Sequence, residues 1–394
     1  MIIGIDGNEA NVQRRVGISE YGFELLKNFK FQISNFKFQI YLKKPPLPHM
    51  PKERDGWRYR IVRPEKLWTQ IGLPIDLFFH KPRPDVFFSP THYAPRFSPV
   101  NCAISIMDVS YLRFPSLFNA SDLYQLKNWT AYSVKKAVKI FTISKSSKND
   151  IIKAYGVSEE KVVVTYPGVK FKNMVRQTHH PEQSRRTMQN SKVLEKYGVD
   201  RNYVLFVGTL QPRKNIERLI EAFSLVCHPE LVSGSQSKRD SDLRQNDIQL
   251  IIVGKKGWLY EDILEAPKKF GVENSVKFLE FVPEEDLSSL YQNALFFILP
   301  SLYEGFGLPV LEAMSYGCPV ITSNVSSLPE VGGDAVLYVD PLSTSDICEK
   351  MRMIFLDEKL RAELQKKGYE QVKKFNWEKT AKQTLDILEN LAQK

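Results

Sequence analysis

The sequence predicts an α/β protein of two domains with mostly parallel sheets. Three observations carry that reading. Short β-branched and aromatic runs recur along the chain, separated by stretches with helical spacing. Several of the runs are apolar without alternation, as strands covered on both faces are. The 394 residues also exceed one ordinary core, at ~100–200 residues per domain.

In order, the first series of expected strands is Ile2–Asp6, Gln39–Leu42, Arg58–Val62, Asp85–Ser89, Ala103–Met107, Lys139–Ile143 and Val162–Tyr166. A polar stretch, Lys170–Lys192, follows, with Lys, Arg, Gln, Ser and the pair His179-His180. It reads as a linker, and without acid or Cys ligands at useful spacing the two histidines do not read as a metal site. The series resumes with Tyr203–Val207, Gln249–Val253, Val276–Leu279, Leu295–Leu299, Val320–Ser323 and Val336–Val339. The expected domains are therefore 1–170 and 196–375, joined by a linker at 171–195, with a terminal helix over 376–394. A second polar stretch, His228–Asn246, reads as an insertion, since such connections usually take ~2–6 residues. The tandem copy Asn28-Phe-Lys-Phe-Gln-Ile-Ser and Asn35-Phe-Lys-Phe-Gln-Ile has a strand pattern and reads as a local duplication at a helix-to-strand junction.

Composition narrows the function classes. At 43% hydrophobic and 25% charged residues, disordered, collagenous and disulfide-scaffold chains are excluded. No apolar run approaches the ~18 residues that span a bilayer. Asp6 and Glu9 follow Met-Ile-Ile-Gly-Ile too closely for a signal peptide. The four cysteines, Cys102, Cys227, Cys318 and Cys348, lack CxxC spacing and are expected to stay reduced. A soluble cytoplasmic protein is the expectation. The net charge of +10 suits nucleic acid, an anionic membrane surface or a small polyanionic substrate. The absence of an RNP motif, a Cys/His finger and a basic heptad helix argues against nucleic acid.

Two strand–loop–helix segments carry the chemistry. In Leu205–Phe223 a strand ends at Val207, Gly208 is expected to turn tightly, and Asn215 to cap a helix whose buried stripe is Ile216, Leu219, Ile220 and Phe223. Arg213 and Lys214 then lie between a strand's carboxyl end and a helix N-terminus, where open α/β sheets bind anions. In Leu295–Val320 a loop with Gly305 and Gly307 precedes a helix with Pro309 near its start. Glu304 and Glu312 flank that loop, Glu312 in the expected first turn; such carboxylates bind sugar hydroxyls, act as acid and base, or complement the helix dipole. Asp240-Ser-Asp242 and Gly254-Lys-Lys-Gly257 read as bland, the first inside the polar insertion and the second without the Gly-x-x-x-x-Gly-Lys-Ser/Thr spacing of a phosphate-binding loop.

The segments "GTLQPRKN", "PSLYEGFGLPVLEAMSYGCPVITSN" and "SSLPEVGGDAVLYVDP" resemble the signatures of retaining glycosyltransferases of family four, which have the GT-B fold. "MIIGIDGNEA…VGISEYGFELLKNF", "FTISKSSKNDIIKAYGVSEEKVVVTYPGV" and "FNWEKTAKQTLDIL" extend the likeness over nearly the whole chain. The resemblance implies two Rossmann-like domains facing a central cleft, with the final helix crossing back to the first. It implies a nucleotide-sugar donor on the C-terminal domain and the acceptor mostly on the N-terminal one. By motif match Arg213 and Lys214 hold the diphosphate and Glu312 the ribose. Glu304, with the backbone of Gly305, Phe306, Gly307 and Leu308, addresses the donor sugar and phosphate, near Gly208. Gly17 stands in the family's N-terminal glycine loop, where Ser19 replaces a second glycine. Met107 replaces the His of a family His-Asp pair, followed by Asp108; His92 joins them as a cleft candidate.

The expectation is a metal-independent hexosyltransferase needing no cofactor besides its nucleotide-sugar substrate. "GTLQPRKN" and "EGFGLPVLEAM" look most like mannosyltransferases of polysaccharide assembly, so GDP-mannose is the first donor expected and a UDP-sugar the next. A glycan or lipid-linked acceptor is implied, and the basic charge suits peripheral contact with an anionic membrane. Open alternatives are a GT-B epimerase or phosphorylase, a non-catalytic nucleotide-sugar-binding protein and, on charge alone, a nucleic-acid-binding protein.

Overall fold

The computed structural model describes residues 1–15, 17–30, 36–169, 192–199, 202–227 and 248–393. Every expected strand forms, and the chain divides into two compact units, Met1–Gly168 with Phe375–Lys394, and Val169–Lys374.

In the first unit the order is β1 (Ile2–Asp6), α1 (Ile18–Phe29), β2 (Lys37–Leu42), β3 (Trp57–Ile61), α2 (Gly72–Phe79), β4 (Val86–Ser89), β5 (Asn101–Ser105), α3 (Ser110–Arg113), α4 (Ala120–Lys136), β6 (Lys139–Thr142), α5 (Lys145–Tyr155) and β7 (Val162–Val164). These strands form one parallel sheet in the order β3-β2-β1-β4-β5-β6-β7. Ile3, Ile5, Phe87, Phe88, Ala103 and Ile104 are buried in its middle, because helices cover both faces. The strand expected to reach Met107 ends at Ser105, where the chain turns toward α3. Of the tandem copy, Asn28 and Phe29 close α1 while Lys37–Ile40 lie on β2, and residues 31–35 are outside the described residues.

The second unit runs β8 (Tyr203–Val207), α6 (Ile216–Cys227), β9 (Gln249–Val253), α7 (Glu261–Lys269), β10 (Val276–Leu279), α8 (Glu284–Asn293), β11 (Phe296–Leu299), α9 (Leu308–Ser315), β12 (Val320–Ser323), α10 (Leu328–Gly332), β13 (Leu337–Val339), α11 (Thr344–Leu356) and α12 (Glu358–Val372). Its parallel sheet has the order β10-β9-β8-β11-β12-β13. Ile216, Leu219, Ile220 and Phe223 of α6 are fully buried, as their spacing requires.

The last helix, α13 (Trp377–Ala392), lies in the first unit and packs on α1 and β4. Asn376 caps it, accepting from the Glu378 N–H at 2.7 Å, and Thr380, Leu385 and Leu388 face inward. The linker is shorter than expected at its distal end. Residues 192–197 are helical, Val193 and Leu194 are buried, and Tyr197 donates to Asp286 at 2.7 Å, so this stretch is part of the second unit. His179, His180 and the insertion with Asp240 and Asp242 lie outside the described residues.

Candidate functional site

Each sheet reverses its strand order once, between β1 and β4 in the first unit and between β8 and β11 in the second. The loops that leave the carboxyl ends at such a reversal diverge and open a crevice. In the second unit they carry Arg213 and Lys214, after β8, and Glu304, after β11.

Those three side chains meet. Lys214 donates to Glu304 Oε1, and Arg213 Nη1 donates to Glu304 Oε2 at 3.2 Å and to the Tyr303 carbonyl at 2.9 Å. Ser301 completes the carboxylate's shell at 2.7 Å. Burial alone raises the Glu304 pKa, but Lys214 and then Arg213 outweigh it and hold the group at about 2. Glu304 is therefore an ion-paired anion at neutral pH, with no proton to give and a poor proton acceptor. Lys214 is buried, whereas the Arg213 side chain stays 22% exposed. One carboxylate between two cations leaves the three side chains with a formal charge of +1, and Arg213 is the more exposed of the two cations.

Asn215 departs from the expected simple cap. Its backbone is left-handed, φ 61°, a conformation that asparagine tolerates better than most residues. Its amide donates to the Pro300 and Pro341 carbonyls at 3.0 and 2.6 Å, while its own carbonyl accepts the Leu219 N–H. Asn215 thus ties the Arg-Lys loop to the ends of β11 and β13. The Glu304 loop is held by serines that sequence reasoning missed. Ser327 Oγ lies 2.8 Å from both the Glu304 and Phe306 carbonyls, and Ser326 Oγ accepts the Glu304 N–H at 3.0 Å. The pair was visible as the start of "SSLPEVGG", without a signal for what it holds.

The glycines divide. Gly307 has φ 107° and starts α9, where an L side chain is strained. Gly208 needs no such allowance, since a Cβ there meets Phe206 at an ordinary 3.4 Å. The turn instead depends on Gly254, whose Cβ would lie 1.9 Å from the Gly208 carbonyl. Gly305 and Phe306 are buried and Leu308 half-buried. Pro309 is the second residue of α9, and Glu312 lies beyond the first turn in which it was expected. Its Oε2 accepts from the Tyr291 hydroxyl at 3.2 Å. Burial, and next Glu312 itself, push the Tyr291 phenol well up, so it stays a donor.

In the first unit, Gly17 caps α1 with φ 54° and open space around it. The Ser19 hydroxyl turns away to donate to Glu9 at 3.0 Å. Asp6, at the end of β1, is pushed up to about 6 by burial, against hydrogen bonds from Asn8. His92 follows β4 with its ring edge-on to Tyr111. Burial holds its pKa down, partly opposed by Asp108. Met107 is half-buried just past β5, and Asp108 accepts the Ser110 N–H at 2.8 Å. Among the described residues no group of three or more His, Cys, Asp or Glu is placed to hold a metal.

A family described as "Glycosyl transferases group 1" matches residues 189–371. Over 329 residues the chain is 31% identical to the O-antigen chain mannosyltransferase B of Escherichia coli, covering 83% of this chain and 78% of that one. The chain belongs to the group 1 glycosyl transferases. A second Escherichia coli relative, the serotype-specific mannosyltransferase WbdA, is 30% identical over 262 residues, 66% of this chain but only 29% of WbdA. Among solved structures, Anabaena Alr3699/HepE in complex with UDP and glucose superposes with a TM-score of 0.72 at 18% identity, covering 99% of both chains. That likeness is one of fold, and the fold is GT-B. This group 1 glycosyl transferase moves a hexosyl group from a nucleotide sugar.

Proposed function

We propose that the chain is a retaining, metal-independent mannosyltransferase. GDP-mannose is the first donor and a UDP-sugar the next, and the acceptor is a hydroxyl of a glycan or lipid-linked glycan. The observation that carries this is the Arg213–Lys214–Glu304 cluster at the reversal point of the second sheet. The mannosyl donor is supported by the relatives' names.

Arg213 and Lys214 receive the donor diphosphate, Arg213 with two donors and Lys214 with a point charge. Glu304 keeps both cations aligned. Glu312 takes the ribose hydroxyls, the backbone N–H groups of Gly305–Leu308 receive the sugar phosphate, and Gly17 leaves its own loop free of a side chain for substrate. As the C1–O bond to the diphosphate breaks, negative charge grows on the leaving phosphate. Cations fixed in advance stabilise it without reorganisation, the electrostatic part that a divalent ion plays elsewhere. The acceptor oxygen bonds to C1 on the face the phosphate leaves, and the acceptor proton passes to a β-phosphate oxygen. Glu304, held by Lys214 and Arg213, aligns these cations rather than attacking C1. The enzyme works at the cytoplasmic membrane face, in peripheral contact with anionic lipid.

Calorimetry in EDTA with GDP-mannose, UDP-glucose, UDP-N-acetylglucosamine and the free diphosphates tests this. One donor binds saturably. At ~1.5–3 kcal/mol per charge-assisted contact, Arg213→Ala/Lys214→Ala weakens it at least about a hundredfold, and Glu312→Ala roughly tenfold. NMR of the product then reads the retained anomeric configuration. Absence of binding at millimolar nucleotide, or undiminished binding by the double variant, rejects the site.

A further inference from the structure

The helix α2, Gly-Leu-Pro-Ile-Asp-Leu-Phe-Phe, is apolar on both its faces. Leu73 and Leu77 pack inward with Tyr41, Trp68 and Phe87. Ile71, Ile75, Phe78 and Phe79 recur at i, i+4, i+7 and i+8 on the other side, where Ile75 is 52% and Phe79 80% exposed. The one charged residue of this eight-residue helix, Asp76, is buried against Arg60 of β3, so the face left in water is apolar.

Two neighbouring loops add to the face under strain. Leu67 and Phe97 are 53% and 72% exposed, and both have φ 52°, a left-handed conformation that bulky residues rarely adopt. The Arg96 N–H donates to the Thr69 carbonyl at 2.9 Å, which joins the loops. The backbone therefore bears a cost while two large apolar side chains stay in water, a pattern of functional surfaces.

The rim is cationic. Between Arg58 and Arg83 stand six Lys or Arg residues and two carboxylates. Both carboxylates are matched, Asp76 by Arg60 and by His80 at 3.0 Å, and Glu65 by Arg63. Arg58, Lys66 and Lys81 remain exposed around the stripe. Asp85, just beyond, accepts the Ile2 N–H at 2.7 Å.

We infer that α2 and the loops at Leu67 and Phe97 form the docking face of this protein for an anionic lipid bilayer. The apolar stripe enters the interface while the rim meets anionic headgroups. The inference deepens the peripheral membrane contact proposed above and rests on that reading for its partner. A second copy of the chain fits less well, because a two-fold contact would set the cationic rim against itself.

The test is flotation with vesicles of phosphatidylcholine alone or with about a third phosphatidylglycerol, alongside sedimentation velocity. Wild-type protein floats with the anionic vesicles, less so as salt rises. Ile75→Ser/Phe79→Ser, which leaves net charge unchanged, lowers partitioning at least about tenfold, and so does Lys66→Glu/Lys81→Glu. Phe97→Ser, on a separate loop, lowers it as well and serves if the helix variant does not fold. Equal flotation of wild type and the serine variants overturns the inference, since charge alone then suffices. So does a wild type that stays with the soluble fraction as a dimer abolished by Ile75→Ser/Phe79→Ser. Donor calorimetry on the same proteins separates the two readings. Flotation as described, in a protein that binds no donor, upholds the docking face and rejects the proposed chemistry.

Discussion

Glu304 is buried in contact with two cations, and its charge is worth stating as a function of pH. Its pKa falls from 4.5 to about 2, with burial opposing and Lys214 and Arg213 prevailing. A carboxylate depressed in the folded state contributes stability above its unfolded pKa and loses it as pH falls through the folded value. The contribution is therefore complete above about pH 5 and lost toward pH 2, roughly 3 kcal/mol in all at ~1.4 kcal/mol per unit. Glu304→Gln leaves Lys214 buried without its counter-charge, so it costs about 3 kcal/mol at pH 7. Urea unfolding at pH 7 and pH 3 checks this. The gap between wild type and variant narrows at the lower pH, and a gap that is constant with pH refutes the ionic account.

The loop that carries Arg213 and Lys214, the partners of Glu304, is pressed against the loop after β9. Leu210 N–H donates to the Lys255 carbonyl, and Gly257 N–H donates back to the Leu210 carbonyl, both at 3.0 Å. Gly254 permits the approach, so Gly254→Ala drives the loop after β9 off the loop that carries Arg213. The expected cost is ~1–3 kcal/mol in thermal unfolding, together with weaker donor binding. Normal stability with normal binding shows the approach to be dispensable. Much of this architecture was legible beforehand. The apolar run Tyr203–Val207 marked a covered strand, the stripe from Ile216 to Phe223 marked a helix face, and both follow from local periodicity. The position of Arg213 and Lys214 followed from strand–loop–helix order. What the sequence did not disclose depends on contacts between distant residues. Lys214 and Glu304 meet across ninety positions, Ser327 reaches back to Glu304, and the requirement at Gly254 is set by a carbonyl of another loop. The end of the linker was misplaced for a related reason. Val193 and Leu194 follow the polar stretch directly, and it is their burial, not composition, that assigns them to the second unit.

At the scale of the whole molecule, the chain ends in the unit where it began. Trp377 packs against Tyr21 of α1 with ring centroids 5.9 Å apart, and Gly168 passes so close that a Cβ there would lie 2.2 Å from the Trp377 nitrogen. Tyr166 joins the same joint, its ring edge-on to Phe375 and its carbonyl accepting from Thr380. The C-terminal helix therefore completes the core of the first unit, whereas the donor-side cluster is built wholly from the second. Trp377→Ala removes a large buried side chain from that joint, at an expected cost of about 3–5 kcal/mol. If the units are separate cooperative bodies, the loss is local. Hydrogen exchange then quickens in peptides from 1–168 and 377–392, while those from 203–227 and 296–323 keep their protection and calorimetry finds donor affinity unchanged. Acceleration throughout both units, with donor binding lost, would mean that the chain unfolds as one body and that its last helix stabilises the donor side as well.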